Sequence, residues 1–380
     1  MFADLEGARR MATRWRLVAG VAAGGALAAA TAWALREVVE SFGERRRLDD
    51  DPRVAGSPQF REGVFHNTVP AALVPPGAAG RIAREMLFGK QKRHPTGAVP
   101  LRTTDLDAPD PDGAYVTWYG HSSALIEMDG RRVLFDPVWS ERCSPSRLVG
   151  PRRLHPPPVP LGMLPALDAI VISHDHYDHL DLPTVRTLAR EHDAPFLVPL
   201  GVGAHLRRWG IPADRVIELD WNDRAEIGGL TFIATAARHF SGRGFSRNRT
   251  LWASWVLAGR SAKIFYTGDS GYFDGYAAIG AEHGPFNATL MQIGAYGDAW
   301  PDIHMTPEEG VAAHVDLRGD VLIPLHWATF NLALHDWAEP ADRVWREAKA
   351  RGVRLTVPRP GQRVDVADPP AVDGWWQEVA

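Results

Sequence analysis

Cysteine is almost absent from this 380-residue sequence, since Cys143 is the only one. A single cysteine excludes an intramolecular disulfide and a metal site built from several thiolates. Any metal-binding side chains must therefore be histidine, aspartate or glutamate. The sequence also lacks an excess of basic residues, and its formal net charge is −4 at pH 7. A nucleic-acid partner is therefore not expected. No internal repeat is present, which excludes a solenoid.

What the sequence does have is a dense cluster of histidines and carboxylates. The segment from Ser173 to His179 reads Ser-His-Asp-His-Tyr-Asp-His, which contains the pattern H-x-H-x-D-H. It follows Ala169 to Ile172, a short apolar run typical of a strand buried on both faces. The residues from Asp181 to Pro183 then have the composition of a helix start. The cluster is therefore expected in a strand-to-helix loop, where α/β proteins place their sites.

Three further potential ligands share one feature of sequence context. His239, Asp269 and His326 each come shortly after an apolar run that is typical of a strand. A lone histidine or aspartate of this kind is usually a hydrogen-bonded turn residue. If the strands end at the same edge, however, these side chains would converge with the first cluster. Together they indicate a metal site.

The N-terminal region, residues 1–42, has the composition of a membrane-directed segment. Leu17 to Leu35 is an uncharged stretch of 19 residues preceded by four arginines. As a helix it would span about 28 Å, close to the ~30 Å of a bilayer core. Ala30 to Ala32 suits signal cleavage, so a retained anchor and a removed signal peptide both stay open. The prediction is a membrane-associated protein whose orientation is undetermined, because arginines flank both ends.

The remaining chain divides into two parts by composition. Residues 43–112 are rich in proline, glycine and arginine, and are predicted to form a linker and an irregular wrapping segment. From residue 113 to residue 380, strand patterns alternate with short helical patterns, which predicts one α/β domain. Within it, Thr306 to Glu309 forms a capping box with proline at the first helical position, so a helix should begin there.

Several short motifs follow one another across residues 115–340. They are Trp118 to Ser123, Asp136 to Val138, Ser144-Pro145, Gly150-Pro151, Ile172 to Asp181, Ala237 to Arg243, Leu251 to Trp255, Gly268 to Tyr272, Ile293 to Tyr296, Pro307 to Glu309 and His326 to Phe330. This ordered set resembles the metallo-β-lactamase superfamily, and within it the N-acylphosphatidylethanolamine phospholipase D group and its bacterial relatives. The resemblance implies an α/β fold, a four-layer αβ/βα sandwich, with a two-metal site at one edge.

The resemblance also implies two sets of metal ligands joined by one carboxylate. The implied ligands are His174, His176 and His239 for the first metal, Asp178, His179 and His326 for the second, and Asp269 between the two. Two zinc ions are the implied cofactors, although histidine and aspartate accept other first-row divalent metals. Asp136 and His121 are expected to orient ligands.

Other residues are candidates for catalysis and for substrate binding. Asp178, Asp269 and His304 are the predicted catalytic residues. The arginines that follow His239 could bind a phosphate, because a guanidinium group matches its geometry; solubilising surface arginines are the alternative. These three candidates are Arg243, Arg247 and Arg249.

The implied function is zinc-dependent phosphodiester hydrolysis of phospholipase D type. The substrate would be N-acylphosphatidylethanolamine or a related membrane phospholipid, with a metal-bridging hydroxide as nucleophile. Gly297 to Asp302 departs from the more aromatic and basic stretch of the phospholipase group. A metallo-hydrolase acting on another ester, lactone or phosphodiester therefore stays open. A non-enzymatic binding module is a third hypothesis, and the complete ligand set argues against it. No feature of the sequence indicates an oligomeric state.

Overall fold

Two seven-stranded mixed β-sheets form the centre of the fold. The computed structural model describes residues 36–380 except 45–47, 73, 74, 76, 105, 107, 108 and 245. The strands are β1 (Phe60–Arg61), β2 (Val64–Phe65), β3 (Ala114–Gly120), β4 (Ser123–Met128), β5 (Arg131–Phe135), β6 (Ala169–Val171), β7 (Phe196–Pro199), β8 (Val216–Leu219), β9 (Arg224–Ile227), β10 (Leu230–Thr235), β11 (Ser254–Ala258), β12 (Lys263–Tyr266), β13 (Phe286–Gln292), β14 (Gly319–Leu325), β15 (Arg354–Leu355) and β16 (Arg363–Asp365).

The helices flank these sheets. Residues 36–41 are helical, and the later helices are α1 (Pro52–Gly56), α2 (Ala78–Phe88), α3 (Leu182–Glu191), α4 (Val202–Arg208), α5 (Gly275–His283), α6 (Pro307–Asp316) and α7 (Glu339–Arg351). Single 3-10 turns lie at Leu161–Met163, Ala213–Arg215 and Trp375–Val379.

Each sheet is antiparallel on one side and parallel on the other. The N-terminal sheet has the order β16-β3-β4-β5-β6-β7-β8, and its strands are parallel from β5 to β8. The C-terminal sheet has the order β15-β14-β13-β12-β11-β10-β9, and it is parallel from β12 to β15. The parallel halves bring several strand C-termini to one edge of each sheet, which is where loops can build a site.

Alternation of side chains along the strands creates the layers. In β4, Ile126 points into the core shared by both sheets, whereas Leu125 points to an outer core formed with α3 and α4. Helices α5, α6 and α7 contribute Tyr276, Val311 and Val344 to the core of the C-terminal sheet. The order is therefore helix, sheet, sheet, helix. This confirms the predicted four-layer αβ/βα sandwich.

Two local predictions are confirmed, and the expected cap at Asp181 is not. Strand β6 is wholly buried between β5 and β7, as its apolar run predicts. Helix α6 begins with the predicted capping box, in which Thr306 and Glu309 exchange hydrogen bonds of 3.3 and 2.8 Å. Asp181 precedes α3, but its carboxylate accepts hydrogen bonds from the hydroxyls of Ser140 and Thr184 and from the Ser140 N–H, and does not cap the helix.

The prediction of a membrane-associated protein is wrong. No helix within the part of the chain that the structure describes is long and apolar enough to cross a bilayer. Leu17 to Leu35, on which the prediction depended, lies outside the described residues. The helical residues 36–41 carry charged side chains, and Glu40 pairs with Arg186 of α3 at 2.9 Å.

The proline- and glycine-rich segment before residue 113 lies against the sandwich at several points. The Phe65 N–H donates to the Asn248 carbonyl at 2.7 Å, and the Thr96 N–H donates to the Val379 carbonyl at 2.8 Å. These contacts join the segment to both halves of the later chain. The division of the chain at residues 42 and 112 stays a prediction.

Several buried tryptophans pack together near the edge of the sheets at which β14 ends. Trp327 stacks on Trp118 with ring centroids 5.8 Å apart, and it contacts Trp375 at 5.5 Å. Trp375 and Trp376 are fully buried although they lie only a few residues from the C-terminus. The last turn of the chain therefore completes the core behind His326.

We expect Trp375→Ala to lower the free energy of unfolding by about 3–5 kcal/mol, because a large side chain in a closed core leaves a cavity when removed. Phe88→Ala is the control, since Phe88 is 78% exposed, and it should change stability by less than about 0.5 kcal/mol. Urea unfolding followed by tryptophan fluorescence and circular dichroism measures both. Equal losses in the two variants would contradict the packing role of Trp375.

Candidate metal centre

The predicted ligands lie together at one edge of the sandwich although they are far apart in the sequence. Strand β6 leads into residues 173–181, which we call the histidine loop. Strands β10, β12 and β14 lead to His239, Asp269 and His326, respectively. The convergence that the strand pattern predicts is therefore what the fold produces.

The gathered side chains form overlapping groups. In each group, one nitrogen or oxygen atom per residue lies within 4.8 Å of the corresponding atoms of the others. The groups are His174, His176, His239 and Asp269; His121, Asp178, His179 and His326; and Asp269, His304 and His326. All seven predicted metal ligands belong to them, and so do His121 and His304.

Asp269 lies at the centre of this cluster. Its Oδ2 atom is 3.8 Å from Nε2 of both His174 and His239, which belong to the first predicted ligand set. The same atom is 3.1 Å from Nε2 of His179 and 3.0 Å from Nε2 of His326, which belong to the second. This is the position that a carboxylate shared by two metals requires.

The other ligand atoms also face common points. His176 directs its Nδ1 to within 2.8 Å of His174 Nε2 and 3.2 Å of His239 Nε2. Asp178 Oδ2 lies 3.3 Å from His326 Nε2. Nitrogens of three different imidazoles at such distances cannot all form good hydrogen bonds with one another. A shared cation between them would use all of their lone pairs.

Unpaired buried atoms test whether a metal fits. His179 Nε2, His326 Nε2, Asp269 Oδ1 and His304 Nδ1 are all buried and lack hydrogen-bond partners. Buried polar atoms normally have partners, because an unpaired one is costly. Histidine nitrogens and carboxylate oxygens are the donor set of zinc and related divalent ions. The residues present therefore fit a divalent metal.

Asp136 occupies the position expected of a ligand-orienting group. Its carboxylate accepts hydrogen bonds from His179 Nδ1 at 2.7 Å, from the Tyr266 hydroxyl at 2.7 Å and from the Ser173 N–H at 2.6 Å. Because Nδ1 of His179 donates to Asp136, its Nε2 is directed into the cluster. The sequence did not reveal Tyr266, which looks like an ordinary strand residue.

Asn67 holds His239 and was missed by the sequence analysis. The Asn67 side chain donates to the His239 carbonyl at 2.8 Å and accepts from the His239 N–H at 3.0 Å. The His239 ring donates from Nδ1 to the Ile303 carbonyl at 2.9 Å, which leaves Nε2 facing Asp269. Asn67 lies in the segment predicted to be a linker, and no motif marks it.

Strained backbone accompanies these contacts. His121, Asp136 and His326 have φ values of 51°, 39° and 66°, a region that residues with a Cβ atom rarely adopt. Such strain concentrates at functional sites. Gly268, with φ 58°, is required beside Asp269, because a Cβ atom there would lie 2.6 Å from the Ser173 Cβ.

His121 and His304 are two further histidines beside the predicted ligands, and the rings of both contact His326. His121 Nε2 is 2.9 Å from Asp178 Oδ2, so it is placed to orient that carboxylate, as predicted. His304 Nδ1 is 3.9 Å from Asp269 Oδ2, and its side chain is 13% exposed. His304 therefore belongs to the rim of the cluster. The catalytic roles of His304, Asp178 and Asp269 stay predictions.

Arg243 lies inside the protein, unlike Arg247. Its side chain is buried, and its Nε and Nη1 atoms donate to the carbonyls of Ser41, Asp175 and Leu180, whereas Nη2 has no hydrogen-bond partner among the described residues. Phosphate binding by Arg243 stays a prediction. Arg247 is exposed and lies over the Phe240 ring at 5.4 Å. Binding of substrate by Arg247 and Arg249 stays a prediction.

The electrostatics of the cluster favour positive charge. Burial lowers the pKa of His174 well below its usual value, because a charged ring would lose its hydration. Burial also opposes charge on His326, but the carboxylates of Asp269 and Asp178 outweigh it and raise the pKa of His326 to about 9. The pKa of His179 is raised by the same balance. Without metal, protons therefore occupy part of the cluster.

Comparisons with known proteins agree with this geometry. A family model described as "Beta-lactamase superfamily domain" matches residues 131–327. The chain is 52% identical over 326 residues to an uncharacterized protein of Mycobacterium tuberculosis, an alignment that covers 84% of this chain and 88% of that protein. It is 35% identical over 252 residues to "N-acyl-phosphatidylethanolamine-hydrolyzing phospholipase D 1" of Caenorhabditis elegans, which covers 63% of this chain and 71% of the relative.

A solved structure is similar in fold. The isothiocyanate hydrolase from Delia radicum gut bacteria superposes with a TM-score of 0.52 and 19% sequence identity, covering 66% of this chain and 98% of that one. This likeness supports the sandwich architecture alone.

We expect Asp269→Asn to lose metal from both ligand sets, because it removes the one carboxylate that faces both. His239→Ala should deplete mainly the first set and His326→Ala mainly the second. Asp320→Asn is the matched control, since Asp320 is 62% exposed and lies on β14 away from the cluster. Metal content per chain, measured by mass spectrometry after gel filtration, separates these cases. Full metal content in Asp269→Asn would show that the bridging role is wrong.

We also expect metal affinity to rise with pH. His326 holds a proton below about pH 9 in the metal-free protein, and a metal must displace it. Affinity should therefore fall by about tenfold per pH unit below that value for each displaced proton. Chelator competition between pH 6 and pH 8 measures the slope, with His192→Ala as a control that keeps it. An affinity independent of pH would contradict this charge balance.

Proposed function

The chain belongs to the metallo-β-lactamase superfamily of hydrolases, and from this premise we propose that it is a metal-dependent phosphodiesterase of phospholipase D type. The proposed substrate is N-acylphosphatidylethanolamine or a related phospholipid, the substrate class in the name of the C. elegans relative. The observation that carries the proposal is the position of Asp269 between two groups of histidines. A two-metal site is suited to phosphodiester hydrolysis.

In this proposal two zinc ions are held by the two ligand sets and Asp269. Bound metals would supply an activated water near neutral pH and polarise a phosphoryl oxygen. The chain's own groups fix the ligands: Asp136 orients His179, and Asn67 fixes the backbone of His239. These contacts keep the metal-binding nitrogens of His179 and His239 directed into the cluster before substrate binds.

His304 is proposed to hydrogen-bond the reacting phosphodiester. Burial lowers the pKa of His304 to about 4, so the ring is neutral near pH 7 and offers one N–H and one lone pair. Its ring lies 5.1 Å from the rings of both His239 and His326, at the rim of the cluster. A neutral ring there can donate to a phosphoryl oxygen without adding positive charge beside the metals.

An apolar group beside the cluster supports a lipid substrate. Phe240 packs against the rings of His176 and His239 at 4.5 and 4.9 Å. It also contacts a small apolar cluster that includes Trp300 and Ile303. A substrate with an anionic phosphodiester and an acyl chain presents both kinds of surface, and this neighbourhood matches both.

Incubation of the purified, zinc-loaded protein with a panel of substrates tests the proposal. We expect release of phosphatidic acid from N-acylphosphatidylethanolamine, detected by mass spectrometry, and loss of release after chelation. Asp269→Asn, purified in the same way, controls for contaminating activity. Turnover of lactones or simple phosphodiesters with no phosphatidic acid from any phospholipid would show that the proposed substrate class is wrong.

A further inference from the structure

Arg243 lies against the histidine loop and donates hydrogen bonds to two of its carbonyls. One terminal nitrogen, Nη1, donates to the Asp175 carbonyl at 2.6 Å and to the Leu180 carbonyl at 2.7 Å. Asp175 follows the first histidine of the loop, and Leu180 follows the last. One guanidinium nitrogen therefore fixes the distance between two carbonyls of a segment that contains three of the predicted ligands, His176, Asp178 and His179.

The middle of the loop is tied to the same residue. The Tyr177 hydroxyl donates to the Arg243 carbonyl at 2.6 Å, and its ring lies 4.1 Å from the guanidinium carbon of Arg243. The neighbouring Gly242 N–H donates to the Asp175 carboxylate at 2.7 Å. Residues 242 and 243 thus hold the loop through its backbone and through two of its side chains.

Arg243 also joins the loop to the rest of the fold. Its Nε donates to the Ser41 carbonyl at 2.7 Å, and its guanidinium lies 5.0 Å from the Trp209 ring. Trp209 in turn donates from Nε1 to the Glu40 carbonyl at 2.8 Å. The loop is therefore anchored to α4 and to the N-terminal residues that the structure describes around position 41.

We propose that Arg243 is a positioning residue that fixes the histidine loop in its metal-binding conformation, an inference that rests on the metal site of the proposed function. The guanidinium group is planar and forked, so its donors keep fixed directions relative to one another. A lysine at this position would keep the charge but not that geometry. The ligand nitrogens and oxygens of the loop depend on its backbone, since His176, Asp178 and His179 lie between the two anchored carbonyls and His174 directly precedes the first.

Metal binding by the full-length protein tests the proposal without any substrate. Metal-free Arg243→Met and Arg243→Lys are titrated with Zn²⁺ against a chromophoric chelator, and with Co²⁺ while visible absorption is recorded. Arg243→Met should bind Zn²⁺ about tenfold or more weakly, the size typical of losing a group that orients ligands. Its Co²⁺ bands should differ from those of the wild type even at saturating cobalt. Arg243→Lys should lie between the two.

Arg346→Met is the matched control, because Arg346 is exposed on α7 and belongs to none of the ligand groups. It should bind both metals as the wild type does. Wild-type Zn²⁺ affinity and an unchanged Co²⁺ spectrum in Arg243→Met would overturn the proposal, even if the variant were less stable to heat. If Arg243→Met does not fold, wild-type values in Arg243→Lys would overturn it equally. Failure of the proposed function has a different signature, namely no phosphatidic acid from a wild-type enzyme that binds zinc normally.

Discussion

Asp269 imposes the constraint on which the site depends. Its Oδ2 lies within 3.8 Å of the Nε2 atoms of four histidines, and these side chains are almost completely buried. Burial leaves these side chains little access to bulk solvent, so unpaired lone pairs among them are costly unless they share protons or a metal. The raised pKa of His326 and the unpaired nitrogens of His179 and His326 are two results of this same condition. A metal ion at this place would replace the proton of His326 and would give the unpaired nitrogens of His179 and His326 a partner.

The rest of the fold holds that cluster in place. The strands that lead to the ligands end at one edge, and several ligands are fixed by partners from other parts of the chain: Asp136 for His179, Asn67 for His239 and Arg243 for the histidine loop. The left-handed backbone at His121 and His326 is held by further contacts, since the His326 N–H donates to the His121 carbonyl at 2.9 Å and the His121 N–H donates to the Thr329 hydroxyl at 2.6 Å. The contacts that stabilise the fold at this edge are therefore also the contacts that position the ligands.

The sequence predicts the parts of this arrangement that leave a local pattern. H-x-H-x-D-H after an apolar run locates the histidine loop, and the strand-end positions of His239, Asp269 and His326 follow from the same reasoning. Asn67 could not be found in this way, because its partner is 172 residues away and its own neighbours form no motif. The buried position of Arg243 was not predicted for a related reason: a charged residue near a ligand suggests an exposed phosphate site, and only the packing reveals that its Nε and Nη1 donate to carbonyls. The membrane prediction depended on composition in residues outside the described part of the chain.

Anomalous diffraction from crystals of the zinc-loaded protein, measured on both sides of the zinc absorption edge, tests the central claim most directly. The account predicts two zinc peaks, one beside His174, His176 and His239 and one beside Asp178, His179 and His326, with an Asp269 oxygen about 2.0–2.2 Å from each. A single peak, or two peaks of which only one lies within bonding distance of Asp269, would contradict it.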